Sequence, residues 1–423
     1  MRYFYVASAE FHKNVLLVNV YRLIAKRLAA PSDASIFSAT VSKVAMANIA
    51  IGIILLTIAF AVLGGFKQEV KRRIFSFSGH IRVTKYSNNL SYEETPINID
   101  RTLYRSYKNY PYIDHLQVYG QKAGVIKANE NVLGVIVKGI GKDYRTADFT
   151  PNLEEGRLVQ IPASGYAKEV VISRTIADRL SLQLKDSLLV FFIQDPPRFR
   201  KLKVVGIYAT GMEGFDEKFV LGDIGLIQRL NSWGDTLVSG YEIFLKDFNQ
   251  LQEKSEVLDE ELDFDMNQEL ITRKHIDIFD WLILLDQNVV AFLTIILLVA
   301  CFNMVAVLVI MMMERIQMIG ILKALGASNR QIQRIFIERG LRIVLKGILW
   351  GNLIGWGVCA LQYFFHIIPL DPKNYYMNTV PIAWNWQDLL LMNLGFFTLV
   401  MGVIIIPTII IANIKPIKAI KFS

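Results

Sequence analysis

VAMANIAIGIILLTIAFAVLGGF, residues 44–66, runs for 23 residues without a charge. A helix needs about 20 mostly apolar residues to cross roughly 30 Å of hydrocarbon, and this stretch meets that need by itself. Three more windows follow in the second half of the chain. They are 287–313 (27 residues), 347–370 (24, with His366 near its end) and 389–414 (26). Buried core helices fail as an explanation on both length and number. The expected fold is an α-helical membrane protein with four transmembrane helices, arranged one plus three. More than 200 residues separate the first from the rest.

Composition points the same way. Hydrophobic residues make up 53% and charged residues 20%, against about 45–50% and roughly 25% in soluble domains. Mean hydropathy is +0.34. The excess of 46 Lys and Arg over 38 Asp and Glu, net +8, does not imply nucleic acid, because membrane proteins concentrate basic residues in cytoplasmic loops. Both cysteines, Cys301 and Cys359, fall inside apolar runs, so no disulfide framework or CxxC metal site is expected.

The loops set the orientation. Residues 314–346 carry seven basic residues (Arg315, Lys323, Arg330, Arg334, Arg339, Arg342, Lys346) and two acids, whereas 371–388 hold only Lys373. The tail, 415–423, adds Lys415, Lys418 and Lys421. Loop and tail are therefore expected in the cytoplasm, and four spans put residues 1–43 there too. No signal peptide is visible; residues 20–28 read instead as a short basic amphipathic helix lying on the membrane. Lys67, Lys71, Arg72 and Arg73 follow the first span on the outer side, against this rule, and are set aside because long translocated domains cross largely regardless of charge.

Residues 67–280 are then one extracytoplasmic α+β domain. Within it, 124–127 and 132–138 bracket Asn129–Asn131 as a hairpin. Ser173 caps a helix over 174–180. Strands at 188–193 and 202–208 flank Gln194-Asp195-Pro196-Pro197-Arg198, whose two prolines mark an exposed tip. The charge-rich stretch 246–274 reads as a helical return to the membrane.

Catalytic chemistry has little to stand on. The nearest approach to a phosphate-binding GxxxxGK[ST] is Gly139-Ile140-Gly141-Lys142-Asp143, with Asp where the hydroxyl should be. There is no HExxH or GxSxG, and His12, His80, His115, His275 and His366 have no ligand spacing. His80 alone is more often a structural residue than a metal ligand. The chain is expected to be a non-enzyme, with no catalytic residue, no metal and no bound cofactor of its own.

Three features remain. Met318, Ile321, Leu322 and Leu325 form an apolar stripe on a short inner-loop helix that ends at Gly326, and Ser328 caps the next helix. Such a helix docks in a partner's groove or lies on lipid headgroups; periodicity favours neither. Gly347, Gly351 and Gly355 recur every four residues, a close helix-packing face. Asn48, Asn303, Asn352 and Asn393 lie inside the spans and serve either packing hydrogen bonds or a transport path.

The segment IGILKALGAS, residues 319–328, resembles the coupling-helix signature of FtsX-type ABC permeases. Those proteins have one span, a large extracytoplasmic domain and then three spans. Narrower matches resemble the lipoprotein-releasing permeases of the LolC/LolE family: NIAIG at 48–52, GF at 65–66, FSGHIRV at 77–83, LGVIVKGI at 133–140, and LDPKNYY at 370–376 with Pro381 beyond.

The resemblance implies a dimer of permeases, of two copies or of paralogues, on two ABC ATPase subunits that bind ATP and Mg. It implies extraction of acylated lipoproteins from the bacterial inner membrane and transfer to a periplasmic carrier. By the same resemblance Met318, Ile321, Leu322, Lys323, Leu325, Gly326, Ala327 and Ser328 contact the ATPase. Ala47, Ala50, Ile51 and Ile54 of the first span, with Asn303 of the second, line an apolar cavity for lipid. The tip Asp195, Pro196, Pro197 and Arg198 falls where one protomer type carries its carrier-holding hairpin, but it is short and lacks the motif expected there. Its basic residues Arg198, Arg200, Lys201 and Lys203 suit either an acidic partner's rim or a solvated strand end. The alternatives are an FtsX- or MacB-like mechanotransmitter serving another exported substrate or a cell-wall hydrolase, and a non-transporting receptor with a sensing domain.

Overall fold

The computed structural model describes residues 36–87, 93–128, 131–371, 375 and 377–412, with side chains from Thr40 to Ile409. The amphipathic stretch 20–28, the turn residues Asn129 and Glu130, most of 372–376 and the lysines of the tail lie outside the described residues.

The chain begins with α1 (Ile36–Ser78), β1 (Ile81–Lys85), β2 (Ile97–Asn98), β3 (Ile113–Ala128), β4 (Asn131–Ile140) and β5 (Leu153–Gly156). It continues through β6 (Glu169–Ser173), α2 (Arg174–Leu180), β7 (Ser187–Phe192), β8 (Arg198–Tyr208), β9 (Phe219–Asp223) and α3 (Ile224–Leu230). Then come β10 (Leu237–Val238), β11 (Gly240–Leu245), α4 (Leu251–Glu261) and β12 (Met266–Leu270). The helices α5 (Ile276–Met313), α6 (Ile316–Ala324), α7 (Asn329–Phe365) and α8 (Trp386–Ala412) complete it. Two compact units result. One joins residues up to Phe66 to Ile283–Ile367 and to residues from Pro381 onward; the other comprises Lys67–Leu282 with Ile368–Val380.

In the helical unit α1, α5, α7 and α8 are each long and apolar enough to cross a membrane. Each begins before its charge-free window, and α1 also continues past its end to Ser78. Helix α7 starts at Asn329, so the connection between the second and third long helices is only 314–328, most of it α6, and Arg330, Arg334, Arg339, Arg342 and Lys346 lie on α7 itself. At the other end α7 stops at Phe365, not at 370, because His366 takes the left-handed conformation (φ 50°). Pro369 then pairs with Thr379 in an isolated bridge. Ile49 and Ile53 of α1, Met304 and Leu308 of α5, Val344 of α7 and Val400 and Ile404 of α8 meet in one core.

The second unit is built on a ten-stranded sheet in the order β12-β1-β11-β3-β4-β9-β6-β8-β5, with β7 beside β3 and β8. Most neighbours are antiparallel; β4–β9 and β6–β8 are parallel. The hairpin over 124–138 is longer than its sequence signals: β3 and β4 pair from Tyr119↔Ile140 to Ala128↔Asn131. Side chains alternate across it, and Val137, Val170 and Ile172 of the sheet pack with Ile176 of α2 and Leu226 and Ile227 of α3. Helix α3 lies so close to the sheet that a Cβ on Gly139 would sit 2.6 Å from the Ile224 Cα. Ser173 does cap α2, its hydroxyl accepting from Ile176 N at 3.0 Å.

One sequence expectation fails here. The stretch 246–274 is not a continuous helix: α4 ends at Glu261 and β12 then pairs with β1, Ile81 opposite Leu270. The open edge of β1 offers backbone partners that helical periodicity in an isolated charged segment does not register.

Candidate functional site

The first candidate surface is α6 with its flanks. Its C-terminus closes by a Schellman arrangement: Gly326 N donates to Lys323 O at 3.0 Å and Ala327 N to Leu322 O at 2.9 Å. Gly326 takes φ +92°, a conformation glycine adopts without cost. Two residues on, the Ser328 amide donates to Gln331 Oε1 at 2.8 Å, half of a capping box that starts α7. The two caps fix a sharp corner. Ile319 is buried, and Met318 and Ala327 pack against the helical core. Ile321 and Leu325, four residues apart, are 56% and 80% exposed. Lys323 and Leu322 are half-buried and Ser328 is exposed. The structure thus divides the stripe: Met318 holds the helix down, while Ile321 and Leu325 offer an apolar pair outward.

The second is the packing of α1. Cβ atoms placed on Gly347 and Gly351 would lie 2.6 Å from Ile49 Cγ2 and 2.7 Å from Ile53 Cβ, and one on Gly355 would lie 3.1 Å from Thr57 Cβ. Ala50 is buried on that seam, its carbonyl facing Gly351. Ala47 and Ile51 point away and are exposed, and Ile54 and Asn303 are half-buried. Ala47, Ala50, Ile51 and Ile54 lie at i, i+3, i+4 and i+7, one face of α1, with Ala50 at the edge of that face where it meets α7. Asn352 and Asn393 bind each other across α7 and α8 at 2.7 and 3.1 Å.

The third is the β7–β8 end. Asp195, Pro196 and Pro197 are exposed. Arg198, however, is turned inward: its Nη1 donates to the carbonyls of Arg229 and Leu230 at 3.1 and 2.9 Å, and Gln194 Nε2 donates to Leu230 O at 3.2 Å. These are carbonyls at the C-terminus of α3, where cations are favoured. The tip is thereby tied down. Phe191, Ile193 and Phe199 are exposed on one face, with Lys201 and Lys203 along β8.

Sequence reading missed a buried polar network at the end of α1. Lys138 and Glu242 are each 1% exposed and pair at 2.6 Å. Gln117 donates to the other Glu242 oxygen at 2.9 Å, and Lys138 Nζ also donates to the Phe77 carbonyl. Burial pushes the Lys138 ammonium below its usual pKa against the pull of Glu242. Arg73 reaches Thr210 O at 2.6 Å and Asn152 reaches Ser76 Oγ at 2.8 Å. His80 sits among Phe75, Phe244 and Phe248, its Nδ1 accepting from Leu245 N at 2.9 Å. Its burial lowers its pKa to about 4. A lysine and a glutamate inside otherwise apolar strands were the only sequence signal. Among the described residues no group of three or more His, Cys, Asp or Glu is placed to hold a metal.

Two family models match the chain: the MacB-like periplasmic core domain over residues 42–252 and the FtsX-like permease C-terminal region over 290–416. Among curated proteins it is similar to the lipoprotein-releasing system transmembrane protein LolC of Xylella fastidiosa, 20% identical, covering 92% of this chain and 95% of that one. It is 22% identical to LolE of Haemophilus influenzae over 89% of this chain and 93% of that one. LolC of the same organism is 24% identical, over 84% and 88%. Among solved structures, the periplasmic region of MacB from Actinobacillus actinomycetemcomitans covers 48% of this chain and 95% of its own, at TM-score 0.33 and 13% identity.

Proposed function

We propose, for a chain in which an FtsX-like permease C-terminal region follows a MacB-like periplasmic core domain, that it is the permease subunit of a lipoprotein-releasing ABC transporter. Similarity to LolC and LolE over most of its length supports this reading. It sits in an inner membrane with both termini cytoplasmic and pairs with a second permease protomer. ATP and Mg bind a separate ABC ATPase, as no nucleotide-binding motif stands in the sequence.

One observation carries the coupling part of the proposal: the exposed Ile321–Leu325 pair on a helix fixed by caps at its far end and by Ile319 beneath. A rigid amphipathic helix suits a groove on the ATPase. Lifting acyl chains toward water costs about 0.8 kcal/mol per CH2, so extraction needs work delivered from such a contact. The outward residues Ala47 and Ile51 of α1 face the lipid path or the second protomer. The exposed Phe191, Ile193 and Phe199, with the Asp195–Pro197 tip, meet the carrier.

The test is to purify the tagged chain in mild detergent and identify its companions by mass spectrometry. An ATPase with triacylated lipoproteins is the expected result. An ATPase with an outer-membrane channel or a cell-wall hydrolase would move the reading to a mechanotransmitter, the alternative that the MacB-like match favours. A folded preparation lacking any ATPase would overturn both in favour of a receptor. Burying Ile321 or Leu325 contributes about 1.5–3 kcal/mol each, so Ile321→Asp or Leu325→Asp should weaken ATPase capture about tenfold or more. Unchanged capture would remove α6 from the interface.

A further inference from the structure

The sheet unit holds a cleft that plays no part in the proposed transport. Its volume, about 930 Å³, is of small-molecule size, and every residue lining it belongs to that unit. Helix α3 forms one wall, the loop over 161–166 a second, and the turn after β4 a third. Carboxylates fasten these walls. Asp223 accepts from Ala167 N at 2.7 Å and from Gly225 N at 2.8 Å, which ties the loop to the start of α3. Asp143 accepts from Val118 N at 2.8 Å and from the Tyr104 hydroxyl at 3.2 Å. The cleft is therefore built before anything enters it.

Gln228 carries the decisive detail. It lines the cleft and is only 8% exposed. Its Nε2 donates to the carbonyls of Asp235 and Leu237 at 3.1 and 3.0 Å. Both amide hydrogens are thus spent and the amide cannot be turned over, so Oε1 stands as an acceptor to which no described residue donates. Three rings share the lining, Tyr104, Tyr166 and Trp233. Tyr104 is backed by Tyr241 at 5.9 Å, and Tyr166 and Trp233 are half-buried against the core, so all three are held in place. The charges nearly cancel, Lys142 and Arg229 standing against Asp143, Asp223 and Asp235.

Such a lining disfavours the simplest occupants. An acyl chain would desolvate the charged and amide groups without pairing them. A strong anion or cation would meet nearly balanced charge. What fits is a neutral molecule with donors and acceptors round its edge and apolar faces for the rings. We infer that this cleft binds an N-acetylated saccharide. Pyranose C–H faces lie on the aromatic rings, and an acetamido N–H donates to Gln228 Oε1. The acetamido methyl packs on Val118, Ile224 and Val238 of the lining. Nothing in this assignment depends on what the protein transports.

Isothermal titration of the full-length chain, in nanodiscs free of sugar-headed detergent, with tetra-N-acetylchitotetraose tests it. One saccharide per chain should bind saturably, and Trp233→Ala or Gln228→Leu should weaken binding about tenfold or more. Ala163, exposed on the loop and lining the cleft, makes none of the bonds named above. Ala163→Trp fills the cleft and should abolish binding, and it serves if the other variants do not fold. Maltotetraose, which lacks the acetamido group, should bind several-fold more weakly; equal binding would overturn the N-acetyl assignment. Equal competition by N-acetyl-tetraalanine amide would make this a peptide site and overturn the saccharide. No saturable binding of the chitotetraose, or binding that survives Ala163→Trp, would overturn the site itself.

Discussion

Lys138 and Glu242 lie 104 positions apart, and each is the sole charge in a stretch of apolar strand. Removing one partner of such a pair leaves the other buried and uncompensated, a loss of about 3–5 kcal/mol. Lys138→Met should therefore lower the thermal midpoint of the full chain sharply, and adding Glu242→Gln should recover most of it. Equal midpoints for the single and double variants would mean the pair is not coupled. His80 supplies a pH dependence. Its folded pKa of about 4 lies below the ordinary 6.5, so the unfolded chain takes up a proton that the folded one refuses. Stability is full above about pH 6.5 and falls by roughly 3 kcal/mol as pH drops toward 4, with His275 shifted the same way. His80→Gln should flatten that decline in acid melting curves, and an unaltered slope would assign it to other groups. At this scale the sequence said little. The pairing of Lys138 with Glu242 depends on strand order, and Arg198 reads as a solvated tip residue until α3 is seen to accept its hydrogen bonds.

Elements were more legible. The four-residue glycine spacing of α7 announced a close contact, though not that α1 supplies it. At Gly351 a side chain would meet Ile53 at 2.7 Å and the Ala50 carbonyl at 2.8 Å, whereas Gly357 has nothing within 4 Å. Gly351→Val should cost about 1–3 kcal/mol and broaden the size-exclusion peak; Gly357→Ala should leave both midpoint and peak unchanged. If the two behave alike, close approach is not what the glycines serve. The Asn352–Asn393 clamp should show a coupling of about 0.6–1.7 kcal/mol in a double-mutant cycle; zero coupling would leave the two bonds without energetic weight. The caps around α6 were readable because Gly and Ser act locally. β12 was not, because the partner that makes it a strand lies nearly 190 residues earlier in the sequence.

For the whole molecule, the one-plus-three spacing of apolar windows was plain from composition, since length and the absence of charge suffice to define a span. The order of the sheet was not, because β1, β11 and β12 come together from opposite ends of a long segment. That order has a consequence for how such a chain is remodelled. The segment opens on β1 and closes on β12, and these are neighbouring strands, with Ile81 opposite Leu270. Paired residues stand only about 4.5–5.5 Å apart. The whole sheet is therefore a cassette whose two ends meet side by side, so a homologous cassette can be exchanged, or the segment replaced by a tight turn, without changing the distance between the points where α1 hands over the chain and α5 takes it back.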